Sequence, residues 1–191
     1  MTMAPLQALS SALVLLLLAQ HARTARASAL EDTCRLVGTG GTQDYDFCVK
    51  TLGADPASAT ADELGLAVIA LRMARATAKA TGDRIATLRA AETSPRRRLA
   101  LDECAKDYTW TMRRLGRAAK DFATGGDEDR LTESEATTLL GDVRDTPARC
   151  DKAFVLWAGE RSPLTNAGRE LDDVMVLAFN ILWHSLNNTA K

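Results

Sequence analysis

Histidine, aromatic side chains and strand-forming runs are all scarce in this chain, and each scarcity removes a class of function. There are two histidines. His21 lies in a segment expected to be cleaved, which leaves His184, and one imidazole cannot assemble a zinc site. Aromatics make up 5% of the residues, too few for the stacking platforms that single-stranded nucleic acid requires. Acidic and basic residues nearly cancel, so there is no electrostatic reason to seek nucleic acid or an anionic membrane. Gly-x-Ser-x-Gly and Gly-Lys-Ser/Thr are both missing, and with them the nucleophile-elbow and phosphate-loop chemistries.

The remaining polar clusters read as structure. Gly38-Thr39-Gly40-Gly41 is glycine-rich, but no strand precedes it, and it reads as a hairpin turn. Asp127-Glu128-Asp129 lacks the glycine and the distal glutamate of a calcium loop and reads as a polar connector. Asp102-Glu103 and Asp172-Asp173 are adjacent helix positions, about 100° apart, that read as solvated carboxylates. Arg96-Arg97-Arg98 reads as a solvated first helical turn, with a processing site or anion patch as the functional alternative. Trp110, Trp157 and Trp183 each lie near a helical stripe, where packing at the core or its edge is expected. No catalytic residue, metal site or cofactor is expected.

What the chain does contain begins with a leader. Ala12–Ala19 is a compact apolar run too short to span a bilayer, followed by the small-x-small site Ala25-Arg26-Ala27. No Lys or Arg precedes the run, so the positive charge ahead of it is the amino terminus alone. Residues 1–27 are therefore expected to be a signal peptide, with the mature chain starting near Ser28. Cleavage removes Arg23 and Arg26 from 24 cations set against 25 acids, so the mature net charge is −3 over 164 residues. That length suits one domain able to bury a core without help from cysteines.

Apolar spacing is helical nearly everywhere after residue 60. Thr60 and Glu63 have capping-box spacing ahead of Leu64, Ala67, Leu71, Ala74, Ala78, Ile85 and Leu88. Ser94-Pro95 opens a second stripe through Leu101, Cys104, Tyr108, Met112, Leu115, Ala119 and Phe122, which Gly125-Gly126 should stop. Thr132 and Glu135 open a third through Ala136, Leu139, Val143, Cys150, Phe154 and Trp157, ending at Gly159. Pro147 lies inside this third helix, so a kink is expected near 143–146. Ser162-Pro163 opens a fourth stripe through Leu164, Ala167, Leu171, Val174, Ala178 and Ile181. Four stripes with short connections predict an all-α, antiparallel four-helix bundle over residues 57–191.

Ahead of the bundle, residues 28–56 read as a helical hairpin made of Leu30–Val37 and Asp44–Leu52. Cys34 and Cys48 lie in it, and Cys104 and Cys150 lie in the second and third stripes. In an exported chain all four are expected to be oxidised to two disulfides, and three connectivities are open. Asn187-Asn188-Thr189 is an N-glycosylation sequon near the C-terminus.

Tyr45-Asp46-Phe47-Cys48-Val49-Lys50-Thr51-Leu52, Asp55-Pro56, Ser58, Ala61-Asp62 and Gly65–Ala70 resemble the N-terminal signature of the plant invertase and pectin methylesterase inhibitor family. Ala100-Leu101-Asp102-Glu103-Cys104 with Tyr108, Cys150–Phe154 and Ser162-Pro163-Leu164 resemble its later landmarks in the same order, so the resemblance covers essentially the whole mature chain. It implies a hairpin closed by Cys34–Cys48 and a bundle whose second and third helices are joined by Cys104–Cys150. It further implies a secreted protein of the apoplast, without catalytic activity, that covers the active-site cleft of a cell-wall enzyme in a 1:1 complex.

Invertase inhibitors of this family resemble one another in a Pro-Lys-Phe motif on the loop between the second and third bundle helices. That loop here reads Gly125-Gly126-Asp127-Glu128-Asp129-Arg130-Leu131. Pectin methylesterase is accordingly the expected target, invertase is the alternative, and a non-inhibitory helical carrier is a third reading. Asp127, Glu128, Asp129 and Arg130 are the candidate interface residues.

Overall fold

The computed structural model describes residues 29–38, 44–124 and 133–188. Residues 29–38 form helix α1, and α2 spans Tyr45–Gly53. Asp44 caps α2 by accepting the Asp46 N–H at 3.1 Å. Cys34 and Cys48 are fully buried between the two helices and bonded to each other, with Cα atoms 5.5 Å apart.

Pro56–Thr60 then forms one 3₁₀ turn, capped by Asp55, which accepts the Ala57 N–H at 2.9 Å. This turn changes the expected start of the next helix. The Thr60 hydroxyl donates backward to the Ala57 carbonyl at 3.3 Å, and Asp62 caps α3 (Glu63–Ala91) by accepting the Gly65 N–H at 2.7 Å. The Thr60–Glu63 capping box does not form: proline at the head of the 3₁₀ turn commits Thr60 to that turn, and the carboxylate two residues on takes the orphan donor.

Helix α4 spans Pro95–Thr124, with proline in its first position and Ser94 Oγ accepting the Arg97 N–H at 3.5 Å. The expected kinked third helix is two helices, α5 (Glu133–Arg144) and α6 (Thr146–Ala158), broken at Asp145. Pro147 sits in the first turn of α6, where its missing N–H costs nothing. Gly159, at φ 71°, ends α6 in the left-handed conformation, with its N–H donating to the Val155 carbonyl. Ser162 Oγ accepts the Leu164 N–H, and α7 runs from Thr165 to Asn188. Thr132 and Gly125-Gly126 lie outside the described residues.

The rods α3, α4, α5–α6 and α7 close into an antiparallel bundle in which α3 packs on α4 and α7, and α4 on α6. Residue pairs running in opposite senses fix the direction: Arg89 meets Asp102 and Arg75 meets Met112 between α3 and α4. Between α4 and α6, Arg97 meets Glu160, Cys104 meets Cys150 and Thr111 meets Thr146. Leu66, Leu71, Ile85, Leu101, Tyr108, Leu115, Phe154, Leu171, Leu177 and Ile181 fill the interior. Ala67, Ala70, Ala74 and Ala78 are fully buried on α3 and let neighbouring helices approach closely. Trp157, in the last turn before Gly159, is 48% exposed.

Candidate functional site

The break between α5 and α6 is the most elaborately held part of the bundle. Arg149, one turn into α6, donates from Nη1 to the Asp142 carbonyl at 3.1 Å and from Nη2 to Thr146 Oγ1 at 2.9 Å. Its Nε approaches Asp107 of α4 at 3.4 Å, and its guanidinium lies 5.9 Å from the Trp110 ring centroid. Arg114 lies over the same ring at 5.2 Å. Beneath this layer the Thr111 and Thr146 hydroxyls share a buried hydrogen bond of 2.7 Å, and Cys104–Cys150 joins the same two helices with Cα atoms 4.8 Å apart.

On the other side the break seats against α7. A Cβ on Gly168 would meet Pro147 Cβ at 2.8 Å, so the glycine is what allows the proline-bearing turn to touch α7. Arg144 donates to Asp172 at 2.9 Å and the Thr165 hydroxyl to Asp151 at 3.0 Å. Together these elements frame an open groove of 740 Å³ with Asp142, Arg144, Asp145, Asp151, Arg169 and Asp172 along its walls. Four carboxylates face two guanidiniums here, so the groove is mildly acidic. A polar, preformed and crosslinked surface of this kind can match a partner with little ordering cost.

Ionisable groups elsewhere serve the packing. Burial, with smaller contributions from Asp151 and Asp107, pushes the Tyr108 phenol up to about 12. It stays protonated at any physiological pH. Burial also raises the Glu63 carboxyl, while the facing His184 pulls it back and Asp62 adds to the rise. Hydrogen bonds from the Ser94 N–H and the Arg97 side chain hold Glu92 below the usual carboxylate range. Among the described residues no three His, Cys, Asp or Glu side chains form a metal cluster.

Of the residues singled out from the sequence, the four cysteines are brought into two buried bonds. The candidate interface residues Asp127, Glu128, Asp129 and Arg130 lie outside the described residues. The backbone of Asn187 belongs to the last turn of α7. Trp110 packs partly against the core, whereas Trp157 and Trp183 are about half exposed, with Trp183 stacked on Phe179 at 6.2 Å between centroids. The Arg149 hub and the Pro147–Gly168 seat were not singled out in the sequence. Arginine and glycine at unremarkable helix positions carry no local signal; only the crossing of α4, α6 and α7 gives them partners.

The chain can now be set beside known proteins. A "Pectinesterase inhibitor" from Actinidia deliciosa is 34% identical over 133 residues, covering 70% of this chain and 69% of that protein. A Platanus acerifolia protein named "Putative invertase inhibitor" is 27% identical over 156 residues, covering 81% of this chain and 84% of its own. In structure, a mutant form of a pectin methylesterase inhibitor from Arabidopsis superposes with a TM-score of 0.58 at 22% identity, over 78% of this chain and 91% of that one. This last likeness concerns the fold. The model of plant invertase/pectin methylesterase inhibitors matches residues 28–182, from the end of the expected leader to the penultimate turns of α7. With a family pattern spanning hairpin and bundle alike, this chain belongs to the plant invertase/pectin methylesterase inhibitor family, whose members are enzyme inhibitors and not enzymes.

Proposed function

We propose that this protein is exported and inhibits a pectin methylesterase by laying the outer surface of its bundle over the active-site cleft in a 1:1 complex. The family supports an enzyme partner. The choice of enzyme is carried by one observation: the segment joining the second and third rods reads Gly125-Gly126-Asp127-Glu128-Asp129-Arg130-Leu131 where invertase inhibitors of this family resemble one another in Pro-Lys-Phe. Asp127, Glu128, Asp129 and Arg130 are proposed partner contacts, and the polar groove of α5, α6 and α7 is proposed as a further one. Export is supported by the leader and by a family match that begins at residue 28, where cleavage is expected. No helix among the described residues is long and apolar enough to cross a membrane. Asn187 is proposed as an N-glycan acceptor, to be checked by the mass lost on enzymatic deglycosylation of the exported protein.

Invertase is the second reading, favoured by the Platanus relative. The carrier reading has less support, because alanine and leucine side chains fill the bundle interior. Titrating the mature protein against a plant pectin methylesterase and an acid invertase in parallel, at mildly acidic pH, separates the three. Loss of esterase activity at equimolar inhibitor with invertase untouched is expected; inhibition of invertase alone would reverse the assignment, and inhibition of neither would favour the carrier.

A further inference from the structure

The chain is close to neutral, but its charge is unevenly placed. Residues 64–82 of α3 and 110–124 of α4 lie side by side and contain seven cations and one acid, Asp121. With a whole-chain charge of −1, these stretches at +6 leave −7 for everything else. Lys79 is paired with Asp83 at 2.7 Å and Arg114 is committed to Trp110. Arg72, Arg75, Arg113, Arg117 and Lys120 are exposed and, among the described residues, form no ion pair.

Their placement is ordered. Arg113, Arg117 and Lys120 recur at i, i+4 and i+7, one stripe about 10 Å long on the outer face of α4. Arg75 crosses from α3 to the same stripe, donating from Nε to the Met112 carbonyl at 3.2 Å. Gly116 makes room for it: a Cβ there would stand 3.0 Å from Arg75 Nε. At the head of the stripe, Trp110 and Arg113 share a shallow groove with Lys106, Asp107, Asp142 and Arg149, so the stripe there borders α5 and α6 and two carboxylates. Arg72, Arg75, Arg117 and Lys120 do not line the α5–α7 groove, whereas at Arg113 the stripe comes near it through Asp142, which borders both grooves.

We propose that the α3–α4 face binds a linear acidic polysaccharide, its carboxylates paired with Arg72, Arg75, Arg113, Arg117 and Lys120. Four of the five cations are arginines, whose planar forks match carboxylates in a bidentate manner. A row of cations along one helix suits an extended polyanion. An anionic membrane fits less well: Leu36, Val155, Leu156, Trp157 and Trp183 are exposed on other helices, and Leu99 precedes the stripe by about four turns, so the cationic face has no apolar wedge to insert. The inference stands whichever enzyme is the target, because none of the five cations is among the proposed partner contacts.

Binding of the purified mature protein to polygalacturonate, without any enzyme, tests it. Retention is expected at about 10 mM salt and release at about 1 M, where the screening length falls from about 30 to 3 Å, and neutral dextran should not bind. The triple variant Arg113→Glu/Arg117→Glu/Lys120→Glu should bind at least ~10-fold more weakly, and Lys50→Glu/Arg161→Glu, on other elements, within about twofold of the parent. If charge reversal perturbs folding, Arg113→Gln/Arg117→Gln/Lys120→Gln with an unchanged melting curve serves the same purpose. Failure of the parent to bind, or undiminished binding by a folded triple variant, overturns the proposal. Equal binding to polyglutamate or to phosphatidylserine vesicles also overturns it, in favour of an acidic protein or membrane partner. Enzyme inhibition is not read in this experiment, so its outcome is independent of the inhibitor assignment.

Discussion

Gly82, well inside α3, and Gly168, in the first turn of α7, should respond oppositely to a methyl group. A Cβ on Gly168 would overlap Pro147 Cβ at 2.8 Å, and the two helices meeting there are held by Arg144–Asp172 and Thr165–Asp151. Gly168→Ala should therefore cost about 1–3 kcal/mol, as overpacking does. On Gly82 the nearest atom would be the flexible end of Met112 at 3.6 Å, ordinary contact. Gly82→Ala should stabilise by up to about 1 kcal/mol through helix propensity. Urea midpoints of the two variants, moving in opposite directions from the parent, check both. The neighbour across the helix interface sets the sign of each effect.

At the scale of elements, proline turned the expected kink into a clean break, because it could be placed in a new first turn and not endured in a helix interior. The break is then held by the Arg149–Thr146–Thr111 chain of hydrogen bonds. Thr146→Val keeps the shape but strips the hydroxyl from two partners, one of them buried, and should cost about 1–3 kcal/mol in denaturant unfolding. The α3–α4 turn carries a pH dependence. Glu92 accepts the Ser94 N–H at 2.9 Å, Arg97 Nε at 2.7 Å and the Thr93 N–H at 3.0 Å, which hold its carboxyl below the usual carboxylate range. A lowered folded-state value means that its stabilisation is present above about pH 4.5 and is lost as pH falls through the folded value. Glu92→Gln should flatten the acid limb of a melting-temperature profile below that pH and leave the rest of the curve parallel.

For the whole molecule the two disulfides act on different units. Cys104–Cys150 spans 46 positions and ties α4 to α6, and its loop entropy is about 4 kcal/mol. Cys34–Cys48 spans 14 positions and closes a hairpin of two short helices, at about 3 kcal/mol. Such short helices are marginal without tertiary support. Cys34→Ser/Cys48→Ser should therefore release protection from amide exchange in α1 and α2 while the bundle stays protected. Cys104→Ser/Cys150→Ser should lower the melting temperature of the bundle itself. Equal exchange throughout in the first variant would show that hairpin and bundle unfold as one unit.

Read alone, the sequence determined the helical class, the four rods and three of their ends, because apolar residues recurring every three to four positions and the Ser94-Pro95, Gly159 and Ser162-Pro163 signals act within one or two turns. Trp157 was misplaced on the core stripe because periodicity records the angle around a helix and not how near the helix is to its end. Spacing alone leaves the cysteine pairing open among three choices; the family resemblance implies Cys34–Cys48 and Cys104–Cys150, and the antiparallel packing of α4 and α6 brings Cys104 opposite Cys150. Tertiary structure alone decided the Arg149 hub, the Pro147–Gly168 seat and the cationic face shared by α3 and α4. Each joins residues distant in sequence, and only helices packed at a particular register and direction bring such residues within reach of one another.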